Sequence, residues 1–182
     1  MQDESAWADS GFAYWRDAFE RNEKQYNFTD FQILVLNENH FMQSLLGDIL
    51  RGFGAKDVIA VRNTDAAWAE LEGRAVDLML VDWMVGPLDG RAFIREVRKS
   101  RSERLRLVPV IMITGHSERY RVEQARDAGA NEFLTLPLAP MTLFDRIVSL
   151  IDQPRPFVRT RTYFGPDRRR RRNPAYTGPW RR

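Results

Sequence analysis

Two carboxylates and a hydroxyl group stand at the ends of apolar runs in this 182-residue chain. Asp82 ends the run DLMLVD, Glu38 follows FQILVLN, and Thr114 ends VPVIMIT. In open α/β sheets, ligands bind outside the carboxyl ends of the strands, because the loops diverge there. Two nearby carboxylates repel each other, so the site either stays hydrated or holds a hard cation such as Mg²⁺ between oxygen ligands. Such a site points to phosphate chemistry.

Short apolar runs alternate with segments of helical periodicity between residues 31 and 151, as in chains built from repeated βα units. Five strands are predicted, at 31–36, 57–61, 77–82, 108–114 and 132–136. The near-continuous apolarity of the first, third and fourth strands predicts burial on both faces, so helices should cover both sides of a parallel sheet. In the first helix, the face predicted to contact the sheet carries Phe41, Leu45, Ile49 and Phe53.

Charge is distributed unevenly along the chain. The net charge is +3, but residues 153–182 contain ten arginines and one acid, so this segment carries +9 and the remainder −6. No window approaches the ~20 apolar residues that cross a bilayer, and the N-terminus lacks the order of a secretory signal, so we expect no membrane insertion and a cytoplasmic location. With no cysteine and two histidines, a thiolate or multi-histidine metal centre is not expected.

The ends of the chain differ in character from its middle. Residues 1–30 contain Trp7, Phe12, Trp15 and Phe19 and predict a helical extension, which packs either on its own domain or against a partner. Residues 153–182 are rich in Arg and Pro and predict an extended or disordered tail. Its arginine run at 168–172 could neutralise nucleic-acid phosphates, but such runs are more typical of solvated tails that bind acidic protein or membrane surfaces weakly. No recognition fold accompanies the run, so specific nucleic-acid binding is not expected.

Four motifs, ILVLNENH, DLMLVDWMVGPLDG, PVIMITGH and FLTLPL, occur at the spacing of the predicted strands. Together they resemble the receiver domain of two-component response regulators. The resemblance implies an α/β fold, a flavodoxin-like doubly wound sheet of five parallel strands in the order 2-1-3-4-5. We therefore expect a receiver domain at residues 31–152, flanked by the N-terminal helix and the basic tail.

The resemblance also implies roles for individual residues. Asp82 matches the phospho-acceptor aspartate, which attacks a phosphohistidine on a kinase or a phosphotransfer protein. Thr114 matches the hydroxyl residue that hydrogen-bonds the phosphoryl group, and Phe133 matches the aromatic switch residue, whose ring turns inward when that hydroxyl moves. For Mg²⁺, Glu38 and Asp82 match metal-binding acids, and Met84 matches the residue that offers its backbone carbonyl.

Two positions depart from the family's pattern. Asn37 stands where the family has an acid, so we expect it to reach Mg²⁺ only through water and the ion to be held less tightly. Leu136 stands where the family has a lysine that pairs with the phosphoryl oxygens. Leucine cannot stabilise the charge that develops in phosphoryl transfer, a loss on the order of several kcal/mol. Arg119 is one candidate to replace the missing charge.

Three functions therefore remain open. The first is a stand-alone response regulator in a phosphorelay, which accepts a phosphoryl group on Asp82 and signals by protein contacts. It would work with a histidine kinase or histidine phosphotransfer protein, a downstream protein target, and a second copy of itself through the fourth helix and fifth strand. The second is a pseudo-receiver scaffold that needs no phosphorylation, and weak nucleic-acid binding through the tail is a further alternative. In none of these is the chain an enzyme, beyond self-phosphorylation on Asp82 and hydrolysis of the product.

Overall fold

The computed structural model describes residues 26–86, 88–115 and 118–168. The helix predicted near the N-terminus and the arginines that follow Arg168 lie outside the described residues. In the described part of the chain, no helix is long and apolar enough to cross a membrane.

Five parallel strands form the central sheet in the spatial order β2-β1-β3-β4-β5. Each strand begins and ends within two residues of its predicted bounds, so the predicted fold is confirmed. The strands are β1 (Gln32–Leu36), β2 (Asp57–Val61), β3 (Leu78–Asp82), β4 (Val110–Thr114) and β5 (Glu132–Thr135).

Helices cover both faces of the sheet, because successive residues of each buried strand point to opposite faces. One apolar cluster joins Leu36, Val81 and Met112 to α2, α3 and α4, and the other joins Val35 and Leu80 to α1 and α5. The helices are α1 (His40–Gly52), α2 (Thr64–Gly73), α3 (Gly90–Lys99), α4 (Arg119–Ala128) and α5 (Pro140–Asp152), with a short helix at Glu103–Leu107.

The predicted inward face of α1 is wrong in its first half. Phe41 is 72% exposed and Leu45 is 40% exposed. Four-residue steps advance about 40° around a helix of 3.6 residues per turn, so a run of such steps drifts from the solvent side to the sheet side. The residues buried against the sheet are instead Gln43, Leu46, Gly47 and Leu50.

Residues 26–30, assigned to the N-terminal extension, contact the domain. Phe28 is 2% exposed and lies edge-on to Phe144 of α5, with 5.8 Å between the ring centroids. Tyr26 donates a hydrogen bond from its hydroxyl group to Asp152, at the end of α5. These two aromatic residues of the predicted extension therefore pack on the domain.

A hairpin follows α5 and corrects the expectation of an extended or disordered tail for residues 157–166. Its strands are β6 (Phe157–Arg159) and β7 (Phe164–Pro166), which pair antiparallel. The Tyr163 hydroxyl donates to the Pro166 carbonyl at 2.8 Å, and Arg168 pairs with Asp127 of α4 at 3.2 Å. The strands are too short to show an alternating pattern, and the contacts that hold them involve Arg and Pro, which are typical of disordered segments.

Candidate functional site

Asp82 is the last residue of β3, and its carboxylate is held from two sides. The Trp83 backbone N–H donates to Oδ1 at 2.6 Å, and the Asn37 side-chain amide donates to Oδ2 at 2.9 Å. The residue is half-buried at the carboxyl edge of the sheet. One carboxylate is thus fixed in orientation by the strand that carries it and by the neighbouring strand β1.

Asn37 is itself held in place, with a residue exposure of only 4%. Its side-chain oxygen accepts from the Asn39 N–H at 2.8 Å, and its backbone carbonyl accepts from the buried Gln43 amide at 2.8 Å. The bond from Asn39 holds the side-chain oxygen away from Asp82, so the NH₂ group faces the carboxylate. In this orientation Asn37 is a hydrogen-bond donor to the carboxylate, and its oxygen already has a backbone partner.

Glu38 brings a second carboxylate to the site. The side chain is exposed, and Oε2 accepts from the Gly86 N–H at 2.9 Å. Gly86 has φ +62°, a left-handed conformation that glycine adopts without strain. The loop after β3 therefore turns back toward the end of β1, where it holds Glu38.

Burial raises the pKa of Asp82 above its ordinary value, and the negative charge of Glu38 raises it further. The hydrogen bonds from Trp83, Met84 and Asn37 favour the ionised form and oppose this shift. The net direction is upward, so ionised Asp82 costs free energy in the folded protein. A cation between the two carboxylates would offset this cost.

The oxygen ligands fit Mg²⁺, which commonly binds through one or two carboxylates and keeps several waters. Within the described ranges, no group of three or more His, Cys, Asp or Glu side chains could hold a metal ion. Asp82, Glu38 and the Met84 carbonyl would thus have to share the ion with water. The Met84 side chain is 50% exposed and has no part in such a set.

Gly90 allows the loop after β3 to close against Asp82, a role that sequence analysis missed. A Cβ atom at Gly90 would lie 2.0 Å from the Asp82 carbonyl oxygen, and the Gly90 N–H donates to the Trp83 carbonyl at 2.9 Å. Within the loop, Met84–Val85 pairs antiparallel with Leu88–Asp89. The only sequence signal was a glycine directly after Asp89, which caps α3.

Trp83 lies between two guanidinium groups that sequence analysis did not identify. The ring is 4% exposed, and its centroid lies 4.4 Å from Cζ of Arg91 and 5.0 Å from Cζ of Arg121. Arg119, the suggested substitute for the missing lysine, instead pairs with Glu123 at 3.5 Å, and its side chain is 93% exposed. Arg91 and Arg121 thus lie against Trp83, the residue that follows Asp82.

Thr114 and Phe133 lie on the two strands beyond β3. Asp82 is in register with Ile113 of β4, and Thr114, which is 1% exposed, directly follows. Phe133 is half-buried and packs against the cluster beneath α2, α3 and α4. The structure thus brings Thr114 to the same edge as Asp82 and sets Phe133 one strand further along.

Leu136 contributes to an apolar cavity on the α1 side of the sheet. It packs against the cluster beneath α1 and α5, and its backbone N–H donates to the Thr114 carbonyl at 2.8 Å. The cavity has a volume of about 290 Å³, and among its lining residues are Met42, Leu45, Ile49, Leu136 and Leu138. The position expected to carry a cation is therefore part of an apolar surface.

Comparison with known proteins gives one consistent family. The model of the response regulator receiver domain matches residues 33–148. The chemotaxis protein CheY1 of Helicobacter pylori is 26% identical over 117 residues, which cover 64% of this chain and 93% of that protein. The chemotaxis protein CheY of Pseudomonas aeruginosa is 25% identical over 122 residues, 67% of this chain and 97% of that protein.

Solved structures show the same fold. The crystal structure of a putative response regulator from Chloroflexus aurantiacus has a TM-score of 0.62 and 21% sequence identity. It covers 66% of this chain and 97% of its own. The hairpin β6–β7 lies beyond the residues that the family model matches.

Proposed function

Because this chain belongs to the response regulator receiver domain family, we propose that it is a stand-alone response regulator whose Asp82 accepts a phosphoryl group in a phosphorelay. The fixed Asp82 carboxylate at the carboxyl edge of the sheet carries this proposal. Its partners in the proposal are a histidine kinase or histidine phosphotransfer protein and a downstream protein, and its location is the cytoplasm.

The chemistry at Asp82 is a phosphoryl transfer. A carboxylate oxygen attacks the phosphorus of a phosphohistidine, a P–O bond forms, the P–N bond breaks, and the imidazole leaves with a proton. Water later attacks the acyl phosphate, which returns the carboxylate and inorganic phosphate. The chain then has no substrate other than itself. The Trp83 N–H and the Asn37 amide orient the nucleophile, so little freedom is lost when the donor arrives.

Mg²⁺ supplies charge stabilisation for the phosphoryl oxygens when bound. In the proposal, Asp82 and Glu38 hold it with the Met84 carbonyl and water. The repulsion between the two carboxylates that raises the pKa of Asp82 supports a cation at this place. Asn37 supplies no charge, so binding is expected to be weaker than with an acid at that position.

For the readout, we propose the roles that the family resemblance implies. Thr114 hydrogen-bonds the phosphoryl group, and Phe133 then changes its packing beside α4. Burial of Thr114 at the end of β4 supports this, since a buried hydroxyl that shifts must displace its neighbours. The contact surface of the activated state, for a target or for a second copy, would be α4 and β5.

The packing of Leu136 favours a second candidate, a pseudo-receiver that binds partners without phosphorylation. With this side chain in an apolar cavity, no cation from this position reaches the phosphoryl oxygens. The two candidates differ only in whether Asp82 is ever phosphorylated.

The test uses acetyl phosphate with Mg²⁺ and intact-mass measurement of the parent, Asp82→Ala and Leu136→Lys. We expect the parent to gain one phosphoryl group and Asp82→Ala to gain none. A lysine at position 136 should speed the gain about 100-fold, the effect of one preorganised charge-stabilising donor. Leu138→Lys adds a lysine to the same apolar surface and should not speed it.

Phosphorylation of Leu136→Lys but not of the parent would establish the pseudo-receiver. It would also show that Asp82 can still act as a nucleophile. If no variant is phosphorylated, by acetyl phosphate or by a phosphorylated histidine phosphotransfer protein, the assignment of Asp82 is wrong.

A further inference from the structure

A groove with a cationic wall lies between the hairpin and the end of α3. It has a volume of about 470 Å³, and among its lining residues are Lys99, Arg101, Arg106, Arg159 and Arg161. The carboxyl end of α3 and the start of β4 lie at the edge of the sheet opposite to Asp82, because the helices run antiparallel to the strands. The groove is therefore separate from the candidate phosphorylation site.

Three of these cations have no carboxylate partner within the described part of the chain: Arg101, Arg159 and Arg161. Lys99 pairs with Glu96 at 2.7 Å, and Arg106 pairs with Glu103 at 3.5 Å. The Arg106 Nε is buried and has no hydrogen-bond partner among the residues that the structure describes. The groove consequently carries an excess of positive charge.

A buried guanidinium adds to this charge from the floor of the groove. Arg98 is 4% exposed, and no described carboxylate pairs with it. Burial lowers its pKa to about 10, so it remains charged at neutral pH. Its hydrogen bonds go only to neutral oxygens, on Gly129, Arg106, Val108 and Asn131. A buried charge without an opposite charge is costly, and an anion in the groove would reduce that cost.

The aromatic rings of the groove are covered by guanidinium groups, so they are not free to stack on a ligand. Cζ of Arg159 lies 5.0 Å and Cζ of Arg106 5.4 Å from the ring centroid of Phe164. Arg168 lies over Tyr163, 3.9 Å from its centroid. A peptide partner would need an open apolar pocket for an anchoring side chain. A groove of guanidinium and hydroxyl groups with covered rings suits a ligand that is bound mainly through regularly spaced phosphates.

From this surface we infer that the groove binds the phosphate backbone of nucleic acid without regard to base sequence. In sequence, Arg168 is followed by four further arginines at 169–172. This inference is independent of phosphorylation at Asp82.

The test measures fluorescence anisotropy of labelled single-stranded DNA of about 20 nucleotides, in two unrelated sequences, over a salt series. The full-length parent is compared with Arg101→Glu/Arg161→Glu in the groove. The control, Arg51→Glu/Lys56→Glu, makes the same change in net charge at exposed positions elsewhere. Thermal unfolding checks that all variants are folded, and Arg101→Lys/Arg161→Lys keeps the charge with another side chain.

We expect the parent to bind both sequences with an affinity that falls steeply with salt. The groove variant should bind on the order of tenfold more weakly, and the slope of log Kobs against log salt should shrink by about 2, since each lost phosphate contact removes about one. The control and the lysine variant should bind as the parent does. Equal binding by the groove and control variants would overturn the inference, as would displacement of the DNA by polyglutamate at equal charge concentration.

Discussion

The environment of Asp82 disfavours the ionised form of its carboxylate. In the proposed phosphoryl transfer its carboxylate must be ionised to attack phosphorus, yet burial and the charge of Glu38 raise its pKa. A carboxylate at this place therefore lowers the stability of the folded protein. Groups with shifted pKa values are common at functional sites. The hydrogen bonds from Trp83 and Asn37 recover part of that cost.

We predict that Asp82→Asn raises the free energy of unfolding at neutral pH in Mg²⁺-free buffer. The pKa of the carboxyl is higher in the folded state than its ordinary value of 3.8, so ionisation destabilises the fold, and stability falls as pH rises through the folded-state pKa. The advantage of the Asn variant should thus disappear as the pH approaches about 4. Urea unfolding at a series of pH values measures it.

The matched control for this prediction is Asp145→Asn, which removes an exposed carboxylate of α5. It should leave stability nearly unchanged over the same pH range. An Asp82→Asn variant that is less stable than the parent at neutral pH would contradict the prediction.

Residue types at the site were readable from sequence, but their orientation was not. Asp82, Glu38 and Thr114 follow apolar strands, so their common edge could be predicted. The Asn37 side-chain amide is turned toward Asp82 by the Asn39 N–H, and the Asn37 backbone is held by Gln43, a polar residue inside the buried face of α1. Nothing in a hydrophobic pattern indicates that a glutamine is buried to hold a backbone carbonyl.

At the scale of elements, the loop from β3 to α3 is fixed by close backbone contact. Gly90 approaches the Asp82 carbonyl so closely that no other residue fits without a shift of the backbone. The same loop carries Met84 and the Gly86 N–H that holds Glu38. Its position therefore sets the spacing of the oxygens that are proposed to hold Mg²⁺.

We predict that Gly90→Ala destabilises the protein by about 3 kcal/mol, because the added Cβ forces the loop away from β3. Gly73→Ala, at the end of α2, is the control, since a Cβ there has no atom within 4 Å. The control should change stability by less than about 1 kcal/mol. Equal losses in the two variants, measured by urea unfolding, would mean that the loop adapts to the extra atom.

Elements were predicted well where burial is continuous and less well where it is partial. Strands β1, β3 and β4 are buried along most of their length, so their near-continuous apolar runs located them. In α1, Phe41 and Leu45 are apolar and lie at a helical spacing, so they were assigned to the buried face although they are exposed. The hairpin rests on contacts between arginines and aromatic rings, which leave no periodic pattern.

At the scale of the described molecule, a five-stranded sheet with buried central strands carries a small hairpin on its surface. The hairpin strands have three residues each and pair only with each other. Isolated two-stranded hairpins are marginally stable, so this one depends on its contacts with α3 and α4.

We predict that amide hydrogen exchange separates these two parts. Amides of β6 and β7 should exchange at least about 100-fold faster than those of β1, β3 and β4, since the hairpin can open without the sheet. Exchange measured by NMR on the full-length protein checks this. Equal protection would show that the hairpin unfolds only with the whole domain.

The contact between Tyr26 and Asp152 joins the first described residue to the end of α5, the last helix that covers the sheet. Domains whose ends lie side by side tolerate insertion into a surface loop of another protein, because the host loop needs little widening to accept them. Residues 26–152 thus form a cassette that protein engineers could place inside a reporter enzyme. A sensor of this kind would convert a change at Asp82 into a measurable output of its host.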